Sequence, residues 1–145
     1  MLRLEGVSVA YGKHEALRQA TLDVETGRTT VILGTNGAGK TTMLNSIAGL
    51  VAARPGSRIL FEGRPIEREP SHRIAELGIA LVAEGRRLFG DMTVLENLRL
   101  GAYPRRARAG EAAQLEAQFE LFPRLAERRT QLARTMSGGE QQMLA

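Results

Sequence analysis

The sequence predicts an α/β fold in which a glycine-rich turn joins a strand to a helix. Three observations predict it. Gly34-Thr35-Asn36-Gly37-Ala38-Gly39-Lys40-Thr41 follows the apolar run Thr30-Val31-Ile32-Leu33 and opens an amphipathic segment, Thr41 to Leu50. Ile79 to Val82 is apolar throughout, as a strand covered on both faces is. Strand spacing dominates the first third of the chain, and helical spacing dominates from Thr93 onward.

Taken in order, Leu2, Leu4, Val7 and Val9 are mostly spaced for a strand that ends at Tyr11-Gly12. Leu17 to Val24 is a second strand, closed by Glu25-Thr26-Gly27, and Arg28 to Leu33 is a third that leads into the glycine-rich turn. A helix from about Lys40 ends near Gly49. Pro55-Gly56 is a turn, Ile59-Leu60-Phe61 a short strand, and Glu62-Gly63-Arg64-Pro65 a second turn. Pro70 and Ser71 open a short helix that Gly78 can close. A loop, Glu84 to Asp91, follows the apolar strand. Thr93-Val94-Leu95-Glu96 has the capping-box pattern, so a helix starts there and runs to about Gly101. Arg108 to Phe122 is helical by periodicity, and Pro123 to Arg129 adds a shorter helix.

Strand, glycine-rich turn and helix is the setting of a phosphate-binding loop. Its chemistry explains its spacing. Successive backbone N–H groups must converge on phosphate oxygens, and side chains at Gly34, Gly37 and Gly39 would obstruct them. The positive end of the following helix favours the bound anion. Lys40 reaches the β- and γ-phosphates as a point charge, and Thr41 offers a hydroxyl to Mg²⁺.

The 145 residues suffice for one ordinary domain, with 43% hydrophobic and 25% charged residues. Without cysteine there is neither a disulfide framework nor a thiolate metal site. The N-terminal residues lack the apolar stretch of a signal peptide, and no apolar run is long enough to span a bilayer, so a membrane role requires a partner. The net charge of +4 is mostly arginine. Arg105, Arg106 and Arg108 form one cluster, and Arg124, Arg128 and Arg129 another. Nearby glutamates balance much of it and few aromatics accompany it, so no nucleic-acid partner is expected. His14 and His72 are isolated and read as surface residues.

Met136-Ser137-Gly138-Gly139-Glu140-Gln141-Gln142 is the second informative stretch. Ser137 and Glu140 form another capping box, and Gly138 and Gly139 have no side chains to block an approaching anion. The local pattern alone is that of a capped helix start.

With both stretches present, the sequence resembles the ATP-binding subunits of ABC transporters. Gly34 to Thr42 matches that family's Walker A loop, and Ser137 to Gln142 matches its signature motif. The resemblance covers essentially the whole chain. It implies a P-loop NTPase cassette with an N-terminal β-subdomain, part of a RecA-like core and a helical subdomain. Residues 1–92 would hold the first two, 93–136 the helical subdomain, and 137–145 the start of the signature helix. Val82-Ala83-Glu84-Gly85-Arg86-Arg87-Leu88-Phe89 looks like the Q-loop of subunits from branched-chain amino acid importers, which carry glutamate where most relatives carry glutamine. Leu121 to Leu125 and Glu140 to Ala145 are similar to the same group. Ala83 departs from its usual proline. Importers of urea or short amides share much of the pattern.

The resemblance implies the cofactors ATP and Mg²⁺. ATP would be held by Tyr11, stacked on adenine, and by Gly34, Thr35, Asn36, Gly37, Ala38, Gly39, Lys40, Thr41 and Thr42. Thr41 and Glu84 would serve the metal, with Lys40 and Glu84 supporting catalysis. Ser137, Gly138, Gly139 and Glu140 would complete the site of an opposing subunit. The implied partners are a second ATP-binding subunit, alike or different, a membrane permease and, indirectly, an extracytoplasmic solute-binding protein. The implied location is the cytoplasmic face of the membrane. Arg86 and Arg87 lie where the family meets its permease; contact and plain solvation both fit. The family's apolar strand ending in Asp-Glu has no counterpart in residues 1–145. These residues are therefore expected to be an incomplete piece of an ATPase domain, inactive alone. Two other readings stay open: a non-catalytic nucleotide-binding remnant, and an ATPase of this type with no transporter.

Overall fold

The computed structural model describes residues 1–145 as two compact units, Met1–Leu81 and Val82–Ala145.

The first unit is built on four strands: β1 (Leu2–Tyr11), β2 (His14–Val24), β3 (Arg58–Phe61) and β4 (Arg64–Pro65). They pair antiparallel in the order β2-β1-β3-β4. The apolar spacing of β1 slips by one residue after Leu4, and a break in register between Leu4 and Val7 absorbs the slip. Gly6 supplies the required left-handed conformation at φ 59°, so Leu4, Val7 and Val9 all reach the core. Gly12, at φ 60°, makes the two-residue turn into β2. At the β3–β4 turn Glu62 and Gly63 both have positive φ, 51° and 79°, as a tight hairpin of opposite hand requires. Ile47 of α1 (Lys40–Ile47) and Ile74 of α2 (Ser71–Leu77) join Leu17, Ile59 and Ile66 in the same core. Gly78 ends α2 in the left-handed region.

The second unit is helical: α3 (Val94–Gly101), α4 (Arg105–Arg108), α5 (Glu111–Leu121), α6 (Pro123–Glu127), a 3₁₀ turn (Ala133–Thr135) and α7 (Gly138–Leu144). Its core is Val94, Leu125, Ala133, Met136 and Leu144, flanked by Leu88, Leu98, Phe119 and Phe122. Residues 90–95 run alongside 129–134, with the Val94 N–H donating to Gln131 O at 3.0 Å and the Ala133 N–H to Met92 O at 2.9 Å.

The α/β class stands, but two predicted strands do not form. Residues 28–33 and 79–82 belong to no strand or helix and pair with none of the four strands. Val31, Leu33 and Val82 are 71%, 87% and 62% exposed. A strand exists through its ladder, and neither segment finds a partner within these residues. The sheet that does form is wholly antiparallel. The single helix predicted over Arg108 to Phe122 is also corrected. Gly110, a poor helix former at φ −101°, ψ 4°, separates α4 from α5. No helix is long and apolar enough to cross a membrane.

Candidate functional site

Residues 34–42 fold as a turn that opens directly into α1. The first bond of α1 runs from the Met43 N–H to Gly39 O at 2.8 Å, so the amides of Lys40, Thr41 and Thr42 have no partner inside the helix. No side chain caps this end, and no acidic residue stands in its first turn. The result is a cluster of free donors at the positive pole of a helix. Lys40 Nζ folds back and donates to Gly34 O and Thr35 O, each at 2.7 Å. Its charge is thus held over the turn by the turn's own carbonyls. Thr41 is exposed, whereas Thr42 is buried against the core.

Two of the glycines have different duties. Gly37 is left-handed at φ 84°, with nothing within 4 Å of where a Cβ would stand. Gly39 is left-handed at φ 85°, and a Cβ there would lie 2.5 Å from Ala16 O. Gly39 therefore lets α1 start hard against β2. The same hairpin carries Tyr11 at the end of β1, paired with His14 and 48% exposed. One hairpin thus carries both the aromatic and the backbone on which the glycine-rich turn rests.

In the second unit, both predicted capping boxes form. Ser137 Oγ accepts from the Glu140 N–H at 3.3 Å, and the Ser137 N–H donates to Glu140 Oε2 at 2.9 Å. Arg128 Nε pairs with Glu140 Oε1 at 3.0 Å. Glu140 is therefore occupied in holding the start of α7. Gly138 and Gly139 are exposed. Glu84 is exposed, in the loop 83–90. No group of three or more His, Asp or Glu residues forms a metal cage.

Ser137's backbone N–H, then its hydroxyl, hold the Glu140 carboxyl below the ordinary carboxylate range, aided by Arg128 and Arg124. Thr93 does the same for Glu96 at α3, first through its backbone N–H and then through its hydroxyl. A carboxylate depressed in the folded state contributes stability above its unfolded pKa, ~4.3 for glutamate, and loses it as pH falls through the folded value. The second unit is expected to lose stability in acid below that range. Glu96→Gln and Glu140→Gln together should flatten this dependence, read as melting temperature against pH. An unchanged slope in the double variant would contradict the assignment.

Sequence reasoning missed three contacts. Asn97 clamps the loop ahead of α3: its Oδ1 accepts from the Phe89 N–H at 2.9 Å, and its Nδ2 donates to Phe89 O at 3.1 Å and Thr93 O at 2.9 Å. Arg86 Nη1 donates to Gln141 Oε1 at 2.9 Å. The third is the Arg128–Glu140 pair. Each joins side chains or backbone through the fold, and only the position of Asn97 four residues after the Thr93 cap was a local signal.

The ABC transporter family model matches residues 17–145. The high-affinity branched-chain amino acid transport ATP-binding protein BraG of Pseudomonas aeruginosa is 45% identical over all of this chain, which covers 61% of BraG. The ribose import ATP-binding protein RbsA 1 of Streptomyces avermitilis is 36% identical over 127 residues, 86% of this chain and 24% of that protein. A solved structure of an ATP-binding subunit of an ABC transporter superposes with a TM-score of 0.85 at 27% identity, covering 99% of this chain and 59% of that one. The chain thus spans about three fifths of the length of BraG.

Proposed function

The chain belongs to the ABC transporter family, and on that premise we propose that it is the ATP-binding part of a subunit that drives import of branched-chain amino acids. The observation that carries the nucleotide reading is the uncapped start of α1 with Lys40 poised over it. Free amides, a helix pole and a lysine are what a triphosphate needs. The support for the solute is the 45% identity to BraG across the whole chain, against 36% over part of it to the ribose importer.

In this reading Gly34 to Thr42 hold the phosphates and Tyr11 covers the adenine. Thr41 supplies the hydroxyl for Mg²⁺. The absence of a carboxylate cage suits a magnesium ion held chiefly by phosphate and water. When bound, Mg²⁺ neutralises charge on the phosphates. Ser137, Gly138 and Gly139 face the nucleotide of a second ATP-binding subunit, with Glu140 bracing that turn. A permease and an extracytoplasmic binding protein complete the importer, and the subunit sits on the cytoplasmic face. No nucleic acid takes part.

The 145-residue chain is expected to bind Mg·ATP and to release no phosphate above background. Calorimetric titration and a steady-state phosphate assay check the two halves separately. Turnover would overturn the inactivity, and absent binding would overturn the reading itself. Deleting the gene should lower uptake of labelled leucine and leave ribose uptake unchanged; the reverse result would favour a sugar importer.

A further inference from the structure

The loop 83–90 and the first turn of α7 lie far apart in sequence but are fastened together. Arg86 Nη1 donates to Gln141 Oε1 at 2.9 Å across 55 residues. Arg86 Nη2 lies over Gly138, 3.3 Å from where a Cβ would stand. Gln141 passes the contact on, its Nε2 donating to Ala133 O at 3.0 Å. At the far end of the loop, the Arg134 N–H donates to Gly90 O at 3.0 Å. The loop is therefore secured at its middle, Arg86, to α7 and at its end, Gly90, to the segment that leads into α7.

The backbone explains why fastening is needed. Gly85, Arg86 and Arg87 are successive left-handed residues at φ 78°, 63° and 49°. Only the first is a glycine, and side chains disfavour this region. Such a conformation persists only where its surroundings over-determine it. Arg86 has a side-chain bond that does this, whereas Arg87 shares the strain without one.

We propose that Arg86 is a positioning residue: through Gln141 and Gly138 it ties the loop carrying Glu84 to the first turn of α7, so that the two keep one geometry and shift together. Its consequence for nucleotide contact rests on the reading of Gly138 and Gly139 given above, but the tie itself does not. A movement of the loop, from whatever cause, would then re-aim the two glycines.

Hydrogen exchange on the whole chain without nucleotide tests this, so a failure of ATP binding leaves the test intact. Losing one exposed hydrogen bond should speed exchange roughly fivefold. In Arg86→Ala that acceleration is expected in peptides covering both 84–91 and 136–142. Gln141→Ala, which also loses the bond to Ala133 O, should do at least as much, and the double variant should add nothing to Gln141→Ala alone. Arg86→Lys, which keeps a donor but not the fork, should restore part of the protection. Arg87→Ala should leave 136–142 at the parent rate. An unchanged 136–142 in Arg86→Ala, or additive effects in the double variant, would overturn the proposal. Both arginines are exposed, so the melting temperature should hold and confirm that each variant is folded.

Discussion

Lys40→Ala is expected to abolish ATP binding, with affinity falling at least ~100-fold as charge-assisted bonds of about 1.5–3 kcal/mol each are lost. The Lys40 ammonium sits 2.7 Å from both Gly34 O and Thr35 O, which hold it over the turn. The amides of Lys40, Thr41 and Thr42 remain in the alanine variant, so a weak anion affinity survives. Lys40→Arg should not rescue binding. A guanidinium is planar and forked, whereas a site closed by two carbonyls of one turn receives a compact point charge. Because these bonds are exposed, the melting temperature should change little, which separates loss of function from loss of fold. Titration calorimetry with Mg·ATP reads the affinity. Binding at parental strength would place the nucleotide away from this turn.

The turn before α1 and the two capped helix starts were legible because their signals are local. Lys40 bonds only carbonyls of its own turn, and Ser137 and Thr93 cap their helices as their spacing requires, whereas the rest of Gly39 on Ala16 of β2 has no local signal. The hairpin of β1 and β2 was equally readable, since Leu2 to Val9 and Leu17 to Val24 carry its apolar face. The strands at residues 28–33 and 79–82 were misread for the opposite reason. Their composition is that of a buried strand, but pairing is not a property of composition. Val31 and Leu33 have the right side chains and no ladder. The tie between Arg86 and Gln141 was invisible for the same cause: 55 residues of chain must fold before the two meet. Arg86 and Arg87 carry no mark of a left-handed backbone, since that conformation belongs ordinarily to glycine.

Gly39→Ala is expected to cost both the fold of the first unit and its nucleotide site, and Gly37→Ala to cost only the second. The two glycines share a left-handed backbone, at φ 85° and 84°. A side chain in that region costs ~1–2 kcal/mol at either position. At Gly37 nothing stands within 4 Å, so the charge ends there and the protein stays folded, with a methyl group where phosphate should approach. At Gly39 the new Cβ would fall 2.5 Å from Ala16 O, which is backbone of β2 and cannot swing aside. Overpacking of this kind adds about 1–3 kcal/mol. The sum, ~2–5 kcal/mol, is a large share of the stability of a small unit. A shift of roughly 10 °C or more in melting temperature follows for Gly39→Ala, and a few degrees for Gly37→Ala. Thermal melting beside ATP titration separates the two variants. Equal melting temperatures would mean that α1 does not rest on β2 through Gly39, and that the hairpin bearing Tyr11 is not what sets the phosphate turn in place.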